Sequence, residues 1–160
     1  MTRIAELTGN DNYFEDFHVG QRMRHARGKT VDVTENVLIT NMVMNTAHAH
    51  FNADVMAGTR FRERLSFGGV NLSLAIGLAS QDTSENALAD LGMDKIRLRA
   101  PVVHGDTLYA FSEVLEVRDA ERPDAGVVRF LHCAVNQRDE IVFEGERMVL
   151  VKRRSHWGDK

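Results

Sequence analysis

Two histidines, followed along the chain by a pair of glycines, are the residues of this sequence best suited to chemistry. His48 and His50 lie between two segments of helical character, and Gly68 and Gly69 precede an apolar run. Histidine changes its charge near neutral pH, so a loop histidine is suited to proton transfer. The first N–H groups of a helix have no partner within the helix and can stabilise negative charge on an oxygen. The pattern predicts an acid–base group beside such a helix start.

The hydrophobic pattern predicts the helices that position these residues. Three helices are expected, over residues 34–44, 53–57 and 69–81. Thr34 is the predicted N-cap of the first, and Asn52 and Gly58 are predicted to bound the second. The third is the longest, and its small residues Ser73 and Gly77 are predicted to face a sheet.

Strand-like segments surround these helices. Residues 21–33 alternate in polarity, and three long strands are predicted at 107–117, 126–137 and 141–152. Polar residues 82–90 are expected to close the long helix, before a linking segment and a first strand within 93–103. This order predicts an α+β domain in which one long helix lies against a curved antiparallel sheet.

Composition narrows the class of protein. The net charge of the 160 residues is −3 and there is no basic stripe, so we expect no nucleic-acid partner. No apolar segment of membrane-spanning length and no signal-peptide pattern is seen, so we expect a cytoplasmic protein without a membrane partner. The single cysteine, Cys133, excludes an internal disulfide. We expect a loose arm at 1–12, one domain over 13–152 and a solvated tail at 153–160.

Two motifs resemble those of the MaoC-like dehydratases, a hot-dog-fold family that includes the (R)-specific enoyl-CoA hydratases. In that family a loop reads Asp-x-Asn-Pro-x-His, and a phenylalanine and the glycine that opens the central helix follow. His50, Phe61 and Gly68 fall on these three landmarks at matching spacings. Residues 101–108 are similar to the family's Pro-Val-x-x-Gly-Asp-Thr-Leu phrase. The resemblance implies a hot-dog fold, an antiparallel sheet wrapped around one long central helix.

The sequence departs from the family pattern at four positions near His50. Asn45 stands where the family has its catalytic aspartate, Ala47 and His48 replace asparagine and proline, and Phe67 replaces a histidine. The phrases around Asn45 and Phe67 are more similar to the branch that contains mesaconyl-CoA hydratases and β-methylmalyl-CoA dehydratases.

The resemblance implies a hydro-lyase that adds water to a 2-enoyl-CoA, or removes it from a 3-hydroxyacyl-CoA, without a cofactor. His50 would be the acid–base group, Gly68 would open the oxyanion-binding helix, and Asn45 could orient water although it cannot accept a proton. The predicted substrate-binding residues are Phe67, Gly69, His48, Arg97 and Arg99, with the arginines directed to the phosphates of CoA. The family also implies a homodimer, with each site at the junction between subunits.

Other interpretations stay open at this point. The hot-dog fold also hosts thioesterases, although no carboxylate adjoins Gly68. Because Asn45 replaces aspartate, the chain could instead be a non-catalytic acyl-CoA-binding protein. His48 also fits a packed or solvent-facing loop residue, and the arginines fit a solvated face. His48 and His50 lack a third ligand at a suitable spacing, so no metal site is expected.

Overall fold

A five-stranded antiparallel sheet packs along one long helix in the computed structural model, which describes residues 12–158. The strands are β1 (Arg22–Thr30), β2 (Ala87–Leu98), β3 (Thr107–Asp119), β4 (Ala125–Val135) and β5 (Ile141–Lys152), in the order β1-β3-β4-β5-β2. The helices are α1 (Val33–Met42), α2 (His48–Phe51), α3 (Ala53–Ala57), α4 (Gly68–Ser84) and α5 (Arg154–Trp157). The predicted α+β architecture is therefore confirmed. None of the described helices is long and apolar enough to cross a membrane.

Small residues let α4 approach the sheet closely. Ala75 and Ala79 are fully buried, and Ala75 packs in a cluster with Leu108, Ala134 and Phe143 from β3, β4 and β5. Ser73 and Gly77, which the sequence predicted to face the sheet, are exposed instead. The helix therefore contacts the sheet through a different face from the predicted one.

Local capping fixes where the shorter helices begin. Asp32 caps α1, since its carboxylate accepts hydrogen bonds from the N–H groups of Thr34 and Glu35, at 2.7 and 3.3 Å. The prediction of Thr34 as the N-cap was wrong by two residues, because the aspartate accepts both amides. Asn52 caps α3 as predicted, accepting from the N–H of Val55 at 3.0 Å.

The sequence misplaced the strand after the long helix. Residues 82–90 were expected to form a polar connection, yet α4 continues to Ser84 and β2 begins at Ala87. The polar residues there have partners in the body: Asp82 binds His25, and Asp90 forms an ion pair with the buried Arg147 at 2.6 Å. Because β2 pairs only with β5, it is an edge strand of the sheet.

A chain of buried polar groups lies between α4 and the sheet. His25 Nδ1 lies 2.5 Å from the Asp82 carboxylate, and its Nε2 lies 2.7 Å from the Ser112 hydroxyl. Ser112 Oγ lies 2.7 Å from His132 Nδ1, whereas the buried Nε2 of His132 has no partner among the described residues. Burial lowers the pKa of His25, and burial with the nearby Arg147 charge lowers that of His132 to about 3. Both imidazoles are therefore neutral in the folded protein at neutral pH.

The two ends of the described chain pack against the body. Asn12 donates to the carbonyl of Asp82 at 2.8 Å, while residues 1–11 of the predicted arm lie outside the described residues. The solvated tail predicted at 153–160 stays a prediction, and residues 154–156 and 158 are exposed. Helix α5 lies there, with Arg154 paired to Asp16 and the Trp157 indole donating to the carbonyl of Asp124 at 3.2 Å.

Candidate active site

The imidazole of His50 is held in one tautomer. Its Nδ1 lies 2.9 Å from the carbonyl oxygen of Leu65. Because a carbonyl only accepts, Nδ1 carries the proton, and the neutral ring keeps its lone pair on Nε2. The N–H of Leu65 donates back to the carbonyl of Ala49 at 2.9 Å, which ties α2 to the segment before α4. Among residues 12–158, Nε2 of His50 has no hydrogen-bond partner and remains available as a base.

Unpartnered amides mark the start of α4. Phe67 is the N-cap, and its carbonyl accepts from the N–H groups of Val70 and Asn71 at 2.9 and 3.2 Å. Across the described residues, the N–H groups of Gly68 and Gly69 donate to no acceptor. At the positive end of a 17-residue helix, these two donors suit a developing oxyanion.

Phe67 joins the histidine to the helix start. Its ring packs edge-on against the ring of His50, with centroids 5.6 Å apart. The same ring covers Gly69, where an added Cβ would lie 2.6 Å from a ring carbon. A Cβ at Gly68 would lie 2.5 Å from a methyl of Leu98. Glycine at both positions thus leaves room for the side chains of Leu98 and Phe67 beside the helix start.

The structure places Asn45 in the loop before α2 and His48 at the start of α2, and neither side chain bonds to His50. Asn45 Oδ1 accepts from the N–H of Ala47 at 3.1 Å, directly after Met44, which has a left-handed backbone (φ 57°). His48 is exposed, and its Nδ1 lies 3.4 Å from the amide nitrogen of Asn52. No carboxylate of residues 12–158 pairs with His50 within the chain. The missing aspartate is therefore not replaced from elsewhere in this part of the chain.

The side chains of Arg97 and Arg99 are engaged by β5 and by their own strand in the isolated chain. Arg99 pairs with Glu144 of β5, whereas Arg97 donates to the carbonyl of Ile96 at 2.8 Å. Phe143 packs into the core beneath α4, so the next residue, Glu144, points from the opposite face of the sheet. Contact between these arginines and CoA stays a prediction.

Asn36, which the sequence analysis did not single out, joins the helix start to His104, which fits a strand end or a contact in the thioester pocket. Asn36 of α1 is fully buried, and its Oδ1 accepts from the N–H of Phe67 at 2.9 Å. Its Nδ2 lies 3.1 Å from Nε2 of His104, in the turn before β3. Burial, followed by the charge of Arg64, lowers the pKa of His104. An asparagine on the inward face of a helix was the only signal that the sequence offered.

Comparison with known proteins identifies the family. The family model described as mesaconyl-CoA hydratase matches residues 6–153. The chain belongs to the mesaconyl-CoA hydratase family. It is 34% identical, over 131 residues, to the β-methylmalyl-CoA dehydratase of Chloroflexus aurantiacus, a match that covers 81% of this chain and 37% of that protein. The chain spans less than half the length of the curated relatives it matches first.

Solved structures confirm the predicted hot-dog fold. A MaoC domain dehydratase from Chloroflexus aurantiacus superposes with a TM-score of 0.85 at 30% identity, covering 94% of this chain and 48% of that one. A Mycobacterium tuberculosis protein described as having a double hot-dog fold superposes with a TM-score of 0.81 at 24% identity, covering 91% of this chain and 46% of that one. The length of this chain therefore corresponds to one hot-dog unit of a protein that contains two.

Proposed function

We propose that this protein is a hydro-lyase that adds water to the double bond of a 2-enoyl-CoA thioester, or catalyses the reverse dehydration. The main support is the packing of the His50 ring against Phe67, the N-cap of α4, which directly precedes the unpartnered amides of Gly68 and Gly69. The names of the family and of its β-methylmalyl-CoA dehydratase relative support the same chemistry.

Each step of the proposed reaction has a group to perform it. The thioester oxygen binds the N–H groups of Gly68 and Gly69, which stabilise the enolate as it forms. Nε2 of His50 takes a proton from water while the water oxygen bonds to the β-carbon. The resulting imidazolium returns that proton to the α-carbon, so the ring ends neutral and one water has been added. One histidine thus serves as base and then acid.

Asn45 has a supporting part in this proposal. Its Oδ1 is used by the N–H of Ala47, so its NH₂ group is what remains to orient the attacking water. No cofactor is required, because CoA enters as part of the substrate. Since the family model is named for mesaconyl-CoA, that thioester is the first substrate to test.

We also propose that two copies of the chain pair through β2. This edge strand exposes Leu91, Met93, Ile96 and Leu98, and its outer backbone groups are free to extend the sheet. Leu98 also lies against Gly68, so a partner on this edge would stand beside the helix start. The double hot-dog arrangement of a longer structural relative supports a requirement for two units. A cytoplasmic location stays a prediction.

One assay separates this proposal from its alternatives. Purified protein is mixed with mesaconyl-CoA or crotonyl-CoA, and the ultraviolet absorbance of the conjugated thioester is followed. The proposal predicts loss of the absorbance without release of free thiol. Thiol release would instead indicate a thioesterase, while tight binding by calorimetry with an unchanged substrate would indicate a non-catalytic acyl-CoA-binding protein.

The hydrogen bond between Ser66 and Asn71, at 2.7 Å, disfavours the thioesterase by occupying polar groups near the helix start.

A further inference from the structure

Asn36 is a fully buried amide on a helix that contributes nothing else to the proposed chemistry. Both ends of its side chain are engaged: Oδ1 accepts from the N–H of Phe67 at 2.9 Å, and Nδ2 lies 3.1 Å from His104 Nε2. The two partners belong to different segments, the helix cap of α4 and the turn before β3. A single side chain therefore connects α1 to both of them.

The direction of the Asn36 amide is fixed by its partners. The partner at Phe67 is its backbone N–H group, which can only donate, so the oxygen of the Asn36 amide must face it. The NH₂ group then donates to His104, which must leave Nε2 unprotonated. Burial disfavours the charged imidazole of His104, in agreement with this arrangement. If the amide were flipped, its NH₂ group would face the N–H group of Phe67, and two donors would meet without an acceptor. The amide therefore has one orientation that satisfies both hydrogen bonds.

Phe67 contacts both parts of the proposed site, His50 and the start of α4. Its ring packs against His50, and its carbonyl accepts the first helical hydrogen bonds of α4. The peptide plane of Phe67 directly precedes the N–H of Gly68. A shift of the Phe67 backbone would therefore turn the free amides and move the ring that supports His50.

We propose that Asn36 is a positioning residue for the reaction, which holds Phe67 so that the Gly68 and Gly69 amides face the thioester oxygen. The inference rests on the proposed function. Asn36 does not touch the substrate, and it acts through the cap of α4. Misplacement of reacting groups by about 1 Å can cost on the order of 100-fold in rate.

The chain supplies a matched control on the same helix. Thr40 is fully buried one turn after Asn36, and within the described part of the chain its hydroxyl bonds only to the carbonyls of Asn36 and Val37 in α1. Thr40→Val removes a buried polar group from the same helix without touching Phe67. Asn36→Leu keeps the size of the side chain but removes both hydrogen bonds, whereas Asn36→Asp keeps an acceptor for the Phe67 amide.

The test combines amide hydrogen exchange, read by NMR without substrate, with steady-state hydration kinetics. Asn36→Leu is expected to lose protection at the Phe67 amide and to lower kcat by about 10- to 100-fold, with a smaller change in KM. Asn36→Asp is expected to retain the protection and most of kcat, and Thr40→Val to leave both unchanged.

Several results would overturn the inference. These are unchanged exchange at Phe67 in Asn36→Leu, a kcat within twofold of wild type despite lost protection, or an equal loss of kcat in Thr40→Val. Wild-type protein that hydrates no enoyl-CoA contradicts the proposed function, and with it the catalytic part of the inference. That case is told apart because the exchange at Phe67 is measured without turnover.

Discussion

The ring of Phe67 meets the imidazole of His50 edge-on, at 61° between planes and 5.6 Å between centroids. Phe67 stands at the position where the pattern of the MaoC-like dehydratases has a histidine, directly before the glycine that opens α4. The site therefore has an apolar wall in place of a second imidazole, and Nε2 of His50 is the free basic nitrogen beside the helix start. This relationship makes the geometry around Phe67 sensitive to small changes.

Gly69→Ala is expected to lower hydration activity. The new Cβ would lie 2.6 Å from a carbon of the Phe67 ring, so the ring must move against His50. Displacement of this kind is expected to reduce kcat by about 10-fold or more. Steady-state kinetics with an enoyl-CoA provide the measurement.

Gly77→Ala is the matched control within α4. A Cβ at Gly77 meets nothing within 4 Å, so this change should leave kcat unaltered and stabilise the helix by about 0.5–1 kcal/mol. Equal activity in the two variants would contradict the role given to the Phe67 ring.

The free energy of unfolding is expected to fall as the pH is lowered below about 6.5. His25 and His132 have lowered pKa values in the folded protein, the latter about 3, so the unfolded chain binds their protons first. Stability from these groups is complete above the unfolded pKa and is lost as pH falls toward the folded one. For His132 the loss is about 1.4 kcal/mol per pH unit between the unfolded and the folded pKa. Chemical denaturation at pH 7, 5.5 and 4.5 measures it.

His132→Phe should reduce this pH dependence. The phenyl ring fills the buried site and removes a nitrogen that has no partner in the described chain, while Ser112 can still donate to His25. His18→Ala, at an exposed histidine, is the control and should keep the wild-type slope. A slope unchanged by His132→Phe would show that this imidazole is not a source of the acid sensitivity.

Pairing through β2 is expected to fail when charge is placed on that edge. Leu91→Lys should convert a dimer to a monomer in light scattering and lower hydration activity together with it. Ile141→Lys is a control of equal exposure, since both side chains are 46% exposed and Ile141 lies at the start of β5. Loss of the dimer in both variants, or in neither, would argue against β2 as the interface.

Much of the fold could be predicted because its signals are local. The Asn52 cap and the three strands after residue 107 follow from turn chemistry and strand alternation. The start of β2 could not be predicted, because Asp82 and Asp90 resemble loop residues in the sequence. Their partners, His25 and Arg147, are distant along the chain. Hydrophobic pattern describes burial against apolar neighbours, and it does not register polar residues held by hydrogen bonds or ion pairs.

The candidate site shows the same division. His50, Gly68 and Gly69 could be placed together from motif spacing, and the structure brings them to one helix start. Asn36 could not be placed there, because its role depends on a hydrogen bond to Phe67, 31 positions away in the sequence. The inward face of α4 was misassigned because the prediction followed the larger apolar residues that adjoin Ser73 and Gly77. The small side chains of Ala75 and Ala79, which face the sheet, gave a weaker apolar signal.

Comparison of His50→Ala with His48→Ala in the absorbance assay tests the acid–base role of His50 most directly. His48 is exposed in α2, the same short helix as His50, and has no hydrogen bond to the start of α4. Its removal should therefore change kcat by less than threefold, as expected of a substitution at the protein surface. Loss of His50 should lower kcat by about 100- to 10,000-fold, because the acid–base group is gone. If His50→Ala hydrates the enoyl-CoA at the wild-type rate, the acid–base role of His50, and the reaction built on it, is wrong.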